Sequence, residues 1–168
     1  LRVFDLFQVL GDRIVERRLD KFWPQHLSNI VWAFATARVS HTVLFKKIGD
    51  HITELDSLHS FKPQELSITA WAFATAGVHH SEMFDKIRDH VVSLDSLGSF
   101  EPMALANTAR AYAIAGRYNL GLFERLATEA ASKKDRFDDE EAANFISACA
   151  KVGYTDERLS GLDKIGLM

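Results

Sequence analysis

Part of this chain is written twice. The segment FWPQHLSNIVWAFATARVSHTVLFKKIGDHITELDSLHS, beginning at Phe22, returns from Phe61 as FKPQELSITAWAFATAGVHHSEMFDKIRDHVVSLDSLGS. Looser copies open at Phe100 (FEPMALANTARAYAIAGRY) and at Phe137 (FDDEEAANFISACAKVGY), so the anchor phenylalanines step by 39, 39 and 37 residues. A fixed period of this size makes the repeat the unit of structure, because one copy cannot bury its apolar face alone and stacked copies share a continuous core. The chain divides into a partial repeat at 1–21, full repeats at 22–60 and 61–99, a degenerate repeat at 100–136, and a degenerate, truncated one at 137–168. The opening stretch echoes a second half-repeat: Phe7, Gly11-Asp12 and Ile14 match Phe45, Gly49-Asp50 and Ile52. Met168 falls inside a further second half, so the array is expected to continue at both ends.

Each copy carries helical apolar spacing twice, separated by a turn signal. In the first full copy Pro24 suits an opening helical turn, where its missing N–H costs nothing, and Leu27, Val31 and Phe34 follow at i, i+4 and i+7. This predicts a first helix over 24–37, with the small residues Ala33, Ala35 and Ala37 allowing close approach of its neighbours. Ser40 is the expected N-cap of a second, more charged helix whose stripe is Leu44, Phe45, Ile48, Ile52 and Leu55. Gly77, Gly116 and Gly153 stand where a left-handed residue would release the first helix, and Arg38 occupies that place in the first copy. The predicted architecture is all-α: an α-solenoid of tandem two-helix repeats, about 38–39 residues each.

The composition is that of a globular protein, 47% apolar and 26% charged, with no apolar run of membrane-spanning length. No membrane association is expected. The start shows no charged-then-apolar signal segment and the single cysteine cannot form an intrachain disulfide, which makes a reducing compartment the default. Twenty Lys and Arg against 23 Asp and Glu leave a formal charge of −3. That balance argues against strong nonspecific binding of nucleic acid, which normally needs a basic stripe, while leaving room for a local basic surface.

The string F-x-P-Q-x-L-S-x-x-x-W-A-F-A-T-A, present at 22–37 and 61–76, resembles the octotricopeptide repeats of organellar RNA-binding proteins, especially those of algae and diatoms. The resemblance covers nearly the whole chain and is close in the first two full copies. It implies an α-solenoid that binds single-stranded RNA in a chloroplast or mitochondrion and acts in transcript processing, stability or translation. The later copies depart from the pattern: Trp32 and Trp71 become Arg110 and Ser147, and Pro24, Pro63 and Pro102 become Asp139.

At 100° per residue, positions 25, 29, 32 and 36 share one face of the first helix, and 27, 31, 34 and 38 lie opposite. The second stripe keeps its apolar chemistry from copy to copy, as packing requires. The first changes: Gln25-Asn29-Trp32-Thr36, then Gln64-Ile68-Trp71-Thr75, then Met103-Asn107-Arg110-Ile114, then Glu140-Asn144-Ser147-Lys151. Unpaired bases are read by side chains that bond their edges and by aromatic or guanidinium planes that stack. Gln25, Asn29, Trp32, Gln64, Ile68, Trp71, Asn107, Arg110, Asn144 and Lys151 are therefore the candidate RNA-binding residues. Interhelical packing is the competing role for Trp32 and Trp71, and backbone bonding within the array for the asparagines. The basic residues Arg38, Lys46, Lys47, Lys86, Arg88, Arg117, Arg125, Lys133, Lys134 and Arg136 are candidates for phosphate contact or for plain solvated charge.

His41 and His80 hold the same repeat position, as do His51 and His90, so copying accounts for both pairs and no metal or other cofactor is expected. Cys149 replaces Phe34, Phe73 and Tyr112, which reads as a small buried thiol rather than a nucleophile. The run Asp138-Asp139-Glu140-Glu141 opens a helix, where negative charge meets the positive end of the dipole. No enzyme activity and no small-molecule substrate are expected. The alternative to RNA binding is a protein-interaction scaffold of the same helical type, favoured by the acidic balance.

Overall fold

The computed structural model describes residues 2–162. Its described part is all-helical, and the eight α-helices are each 13 residues long: α1 Val3–Val15, α2 Pro24–Thr36, α3 Thr42–Glu54, α4 Pro63–Thr75, α5 Ser81–Ser93, α6 Pro102–Ile114, α7 Leu120–Ser132 and α8 Asp139–Lys151. The first helices pack in sequence, α2 on α4, α4 on α6 and α6 on α8; the second helices form another row, α1 on α3, α3 on α5 and α5 on α7. The fold is thus an all-α helical repeat in which each first helix packs chiefly on its counterparts in the neighbouring copies. The opening stretch is a second helix, as its echo of residues 45–52 requires. The second helix expected near Met168 lies largely outside the described residues, which end after a single turn at Glu157–Leu159.

Why the first helices stop where they do is written in their turns. Arg38, Gly77, Gly116 and Gly153 take φ of 56°, 67°, 66° and 72°. The next residue then reaches back: the N–H groups of Val39, Val78, Arg117 and Tyr154 donate to the carbonyls of Phe34, Phe73, Tyr112 and Cys149 at 2.9–3.0 Å. Those bonds are the Schellman closure of a helix C-terminus, and Arg38 adopts it despite its Cβ. At the other end Pro24, Pro63 and Pro102 each open a helix, while Asp139 does so behind a capping box in which Asp138 Oδ1 accepts from the Glu141 N–H at 2.7 Å.

Copies are held in register by an aromatic contact between the second helix of one and the first helix of the next. Phe7 meets Phe34 at a centroid distance of 5.0 Å, Phe45 meets Phe73 at 5.0 Å, and Phe84 meets Tyr112 at 5.3 Å, all edge to face. At the last junction the partner position holds Cys149, and Phe123 instead packs against Tyr154, at 5.9 Å. Cys149 is buried and its thiol is pushed up to about 12 by that burial, the state of a packing residue.

The second helix begins one residue later than Ser40 predicts. Its N-cap is His41, whose Nδ1 accepts from the Leu44 N–H at 3.2 Å, and His80 caps α5 in the same way through the Met83 N–H. With Nδ1 accepting, the ring proton sits on Nε2, which donates to Asp12 Oδ1 at 3.1 Å from His41 and to Asp50 Oδ1 at 3.0 Å from His80. Each histidine thereby caps its own helix and fastens it to the preceding second helix. Ser40 instead ties two copies together, its hydroxyl donating to the Ala76 carbonyl at the end of α4. The rings fit only because a glycine faces them, since a Cβ on Gly11 or Gly49 would stand 2.3 Å from the ring of His41 or His80. At the next junction both partners change together: Arg88 stands in the glycine's place and Asn119 in the histidine's, with Asn119 Oδ1 accepting from the Leu122 N–H at 2.9 Å.

Gly49→Ala is expected to cost about 1–3 kcal/mol in urea unfolding, the usual penalty for overpacking. His80→Asn in that background should lower the cost, because the shorter cap used at the third junction vacates the space. A double-mutant cycle with strictly additive losses would contradict this coupling.

Candidate functional site

The two faces of the first helices separate as their chemistry suggests. Leu27, Val31 and Phe34, with Leu66, Ala70 and Phe73 and then Leu105, Ala109 and Tyr112, are buried. Every member of the variable stripe stays accessible. Gln25, Asn29, Gln64, Arg110, Ser147 and Lys151 are exposed, Trp32 keeps 48% of its surface and Met103 41%, and Ile68, Trp71, Asn107 and Asn144 are half-buried.

Because α2, α4, α6 and α8 pack side by side, the stripe residues of successive copies become neighbours across a groove. Trp32, Gln64, Ile68, Trp71, Met103, Asn107, Arg110 and Asn144 line one cavity of about 450 Å³, together with Ala106, Asp138, Glu140 and Glu141. Of the candidate residues, Gln25, Asn29 and Lys151 are on the same layer but outside that cavity. Along its length the groove runs from aromatic and aliphatic, at Trp32, Trp71 and Ile68, through a single guanidinium at Arg110, to carboxylates at the start of α8.

Asp138 and Glu141 close the capping box of α8, but the other polar groups are not committed to the fold. The side chains of Asn29, Asn107, Asn144, Gln64, Arg110 and Glu140 make no hydrogen bond or ion pair with any described residue. The asparagines therefore do not serve the backbone of the array. Trp32, half exposed, is not an interhelical spacer, whereas Trp71 rests partly on the core and shows one side to the groove.

Most of the basic residues are engaged by the fold. Lys47 donates to the carbonyls of Val15 and Arg17 at the end of α1; Lys86, at the same repeat position, donates to those of Thr53 and Leu55 at the end of α3. Arg125, again at that position, donates to the Leu94 carbonyl after α5. Lys133, with only 9% of its surface exposed, donates to the Gly98 and Phe100 carbonyls at 2.7 and 2.8 Å and pairs with Glu129 at 2.9 Å. Helix C-termini leave carbonyls without partners, and Lys47, Lys86 and Arg125 satisfy them one copy upstream, while Lys133 serves the linker before α6. Lys46 pairs with Asp50, Arg88 with Asp85 and Asp89, Arg117 with Asp85, Arg136 with Glu101, and Lys134 donates to the Ser160 carbonyl. Lys46, and after it His80, hold the Asp50 carboxyl below the usual carboxylate range. Arg38 alone of that set makes no such contact. The 39-residue spacing of Lys47, Lys86 and Arg125 was the signal in the sequence, since positive charge kept in register with helix ends points to a structural duty.

Among the described residues no three of His, Cys, Asp or Glu are grouped to hold a metal ion, and no helix is long and apolar enough to cross a membrane. No protein-family model matches the chain, and no curated protein matches it.

The division of labour predicts opposite responses to truncation. Lys133→Ala should cost about 1–3 kcal/mol in thermal or urea unfolding, because it strands two carbonyls and Glu129. Asn29→Ala and Asn107→Ala should each stay within about 0.5 kcal/mol of the parent protein, since neither bonds to the fold.

Proposed function

We propose that the groove formed by α2, α4, α6 and α8 binds single-stranded RNA, one or two side chains per copy addressing each base. The observation that supports this reading is a row of accessible amides, indoles and a guanidinium, set at the repeat spacing, whose polar groups bond to no described residue. Such side chains bond base edges and stack on unpaired bases, and the repeat spacing presents them in series. The resemblance of residues 22–37 and 61–76 to octotricopeptide repeats adds the setting: transcript processing, stability or translation in a chloroplast or mitochondrion.

A second reading is a peptide or partner helix in the same groove. It is favoured by the apolar surface of Trp32, Ile68, Trp71 and Met103 and by the carboxylates Asp138, Glu140 and Glu141, which repel phosphate.

The two readings separate in a titration of labelled, randomised single-stranded RNA followed by fluorescence anisotropy, with duplex DNA as control. RNA-preferring binding weakened by the double change Asn29→Ala and Asn107→Ala supports recognition through the groove. Its salt dependence should be shallow. Within the four helices only Arg110 and Lys151 are Lys or Arg, and each single-strand phosphate contact contributes about 0.7 to the slope of log K against log salt, so a magnitude near 1–2 is expected. A slope of about 4 or more, or equal binding of duplex DNA, would assign the affinity to scattered surface charge. Absence of binding at low salt would leave the peptide reading.

A further inference from the structure

The opposite charges on the wall of the groove demand an explanation. Arg110 on α6 and Glu140 on α8 line the same cavity, both exposed, and they do not pair with each other or with any described residue. Elsewhere cations and carboxylates of adjacent copies find each other, as Arg117 does with Asp85 and Arg136 with Glu101. Here a guanidinium and a carboxylate instead face a common space, flanked by the free amides of Asn107 and Asn144 and by the half-buried Trp71.

A carboxylate in an RNA groove is a poor neighbour for phosphate and a good acceptor for base donors. Among the four bases only guanine presents two adjacent donors, N1–H and the N2 amino group, on its Watson–Crick edge. Its opposite edge presents two adjacent acceptors, O6 and N7, which match the fork of an arginine. Adenine, cytosine and uracil all break the donor pair with an acceptor. We infer that the cavity between α4, α6 and α8 receives one unpaired guanine of a single-stranded RNA, Glu140 accepting from N1–H and the N2 amino group, Arg110 donating to O6 and N7, and Trp71 offering a stacking plane. This assignment rests on the RNA-binding reading above. A free guanine nucleotide shares the base chemistry, but no cation besides Arg110 lines the cavity to meet its phosphates, so the strand is the source the lining favours.

The experiment uses the whole chain and short labelled oligouridines carrying one central guanosine, adenosine or cytidine, read by anisotropy. The guanosine oligomer should bind about tenfold more tightly than the other two, the discrimination of one good bidentate contact. Glu140→Gln should bring that advantage within about twofold. Removing a negative charge can only help phosphate binding, so loss of selectivity cannot be a general electrostatic effect. Arg110→Gln should do the same, and Glu124→Gln on the other helix row should retain the advantage. Thermal unfolding confirms that the variants fold, and Glu140→Gln carries the test if Arg110→Gln does not. Equal affinity for all the oligomers, or a guanosine advantage that survives Glu140→Gln, overturns the guanine assignment while RNA binding stands. Failure to bind any oligomer overturns both. Displacement of the guanosine oligomer by free guanosine monophosphate at equal concentration overturns the strand as its source.

Discussion

The arrangement of this molecule depends on one recurring contact, the edge-on meeting of a second-helix phenylalanine with the aromatic residue one copy downstream. Phe45 and Phe73 lie at 5.0 Å, fully buried between α3 and α4. Such a pair contributes about 0.5–1.5 kcal/mol beyond the apolar area it buries, but its larger effect is geometric. It fixes how far each copy is displaced from the last, and therefore which groove-facing residues of neighbouring first helices stand side by side. Cys149 removes the partner at the last junction, and Tyr154, just past the left-handed Gly153, brings a ring back to Phe123. The contact is preserved although the residue that usually makes it is gone.

The same stacking decides where charge resides. A row of second helices ends repeatedly in unsatisfied carbonyls, and a cation one copy downstream reaches the ends of α1, α3 and α5. Lys47, Lys86 and Arg125 are consumed in this way, and Lys133 is consumed by two carbonyls of the linker before α6. The first-helix row, closed by Schellman turns that satisfy their own carbonyls, needs no such help and holds few cations. The two rows are thus chemically distinct for a structural reason, one closed by long basic side chains and the other left with amides, indoles and a single arginine over its groove. Under the RNA-binding proposal, a net charge of −3 puts more of the affinity on base contacts than on phosphate.

Periodicity made the helices legible. The 39-residue step, the prolines at 24, 63 and 102 and the glycines at 77, 116 and 153 locate both helices of a copy to within a residue or two, and the 3.6-residue geometry separates the buried Leu27 stripe from the accessible Asn29 stripe. What could not be read were contacts between copies. His41 looks like a surface residue beside a good N-cap serine, and only the nearness of Gly11 and Asp12 from the previous copy makes it the cap. Lys86 looks like a phosphate ligand until the carbonyls of Thr53 and Leu55 are beside it. Sequence spacing identifies neighbours within a helix; it does not say which end of the next helix a long side chain will touch. The groove was half legible for the same reason. Its members were found one helix at a time, while the placing of Arg110 and Glu140 on one cavity across α6 and α8 belongs to the packing.

The third junction shows how such an array changes without coming apart. Arg88 could not follow a histidine cap, because even a Cβ in the glycine's place would meet the ring at 2.3 Å, the distance found at Gly49. With Asn119 as the cap, the ring is gone, the helix start is still satisfied, and Arg88 is free to join Asp85 and Asp89. The junction loses the histidine's bond to the upstream aspartate and acquires another tie, Arg117 from the next copy closing on Asp85 while lying over the Phe84 ring at 5.8 Å. The paired change keeps the copies in register, and register is what holds Arg110 over the same groove as Trp71. Drift on the first-helix face, from tryptophan to arginine to serine, can then alter what each copy contacts without moving where it stands. A helical repeat can diversify its recognition surface only when its junctions absorb substitution in this compensated way, one partner making room for the other.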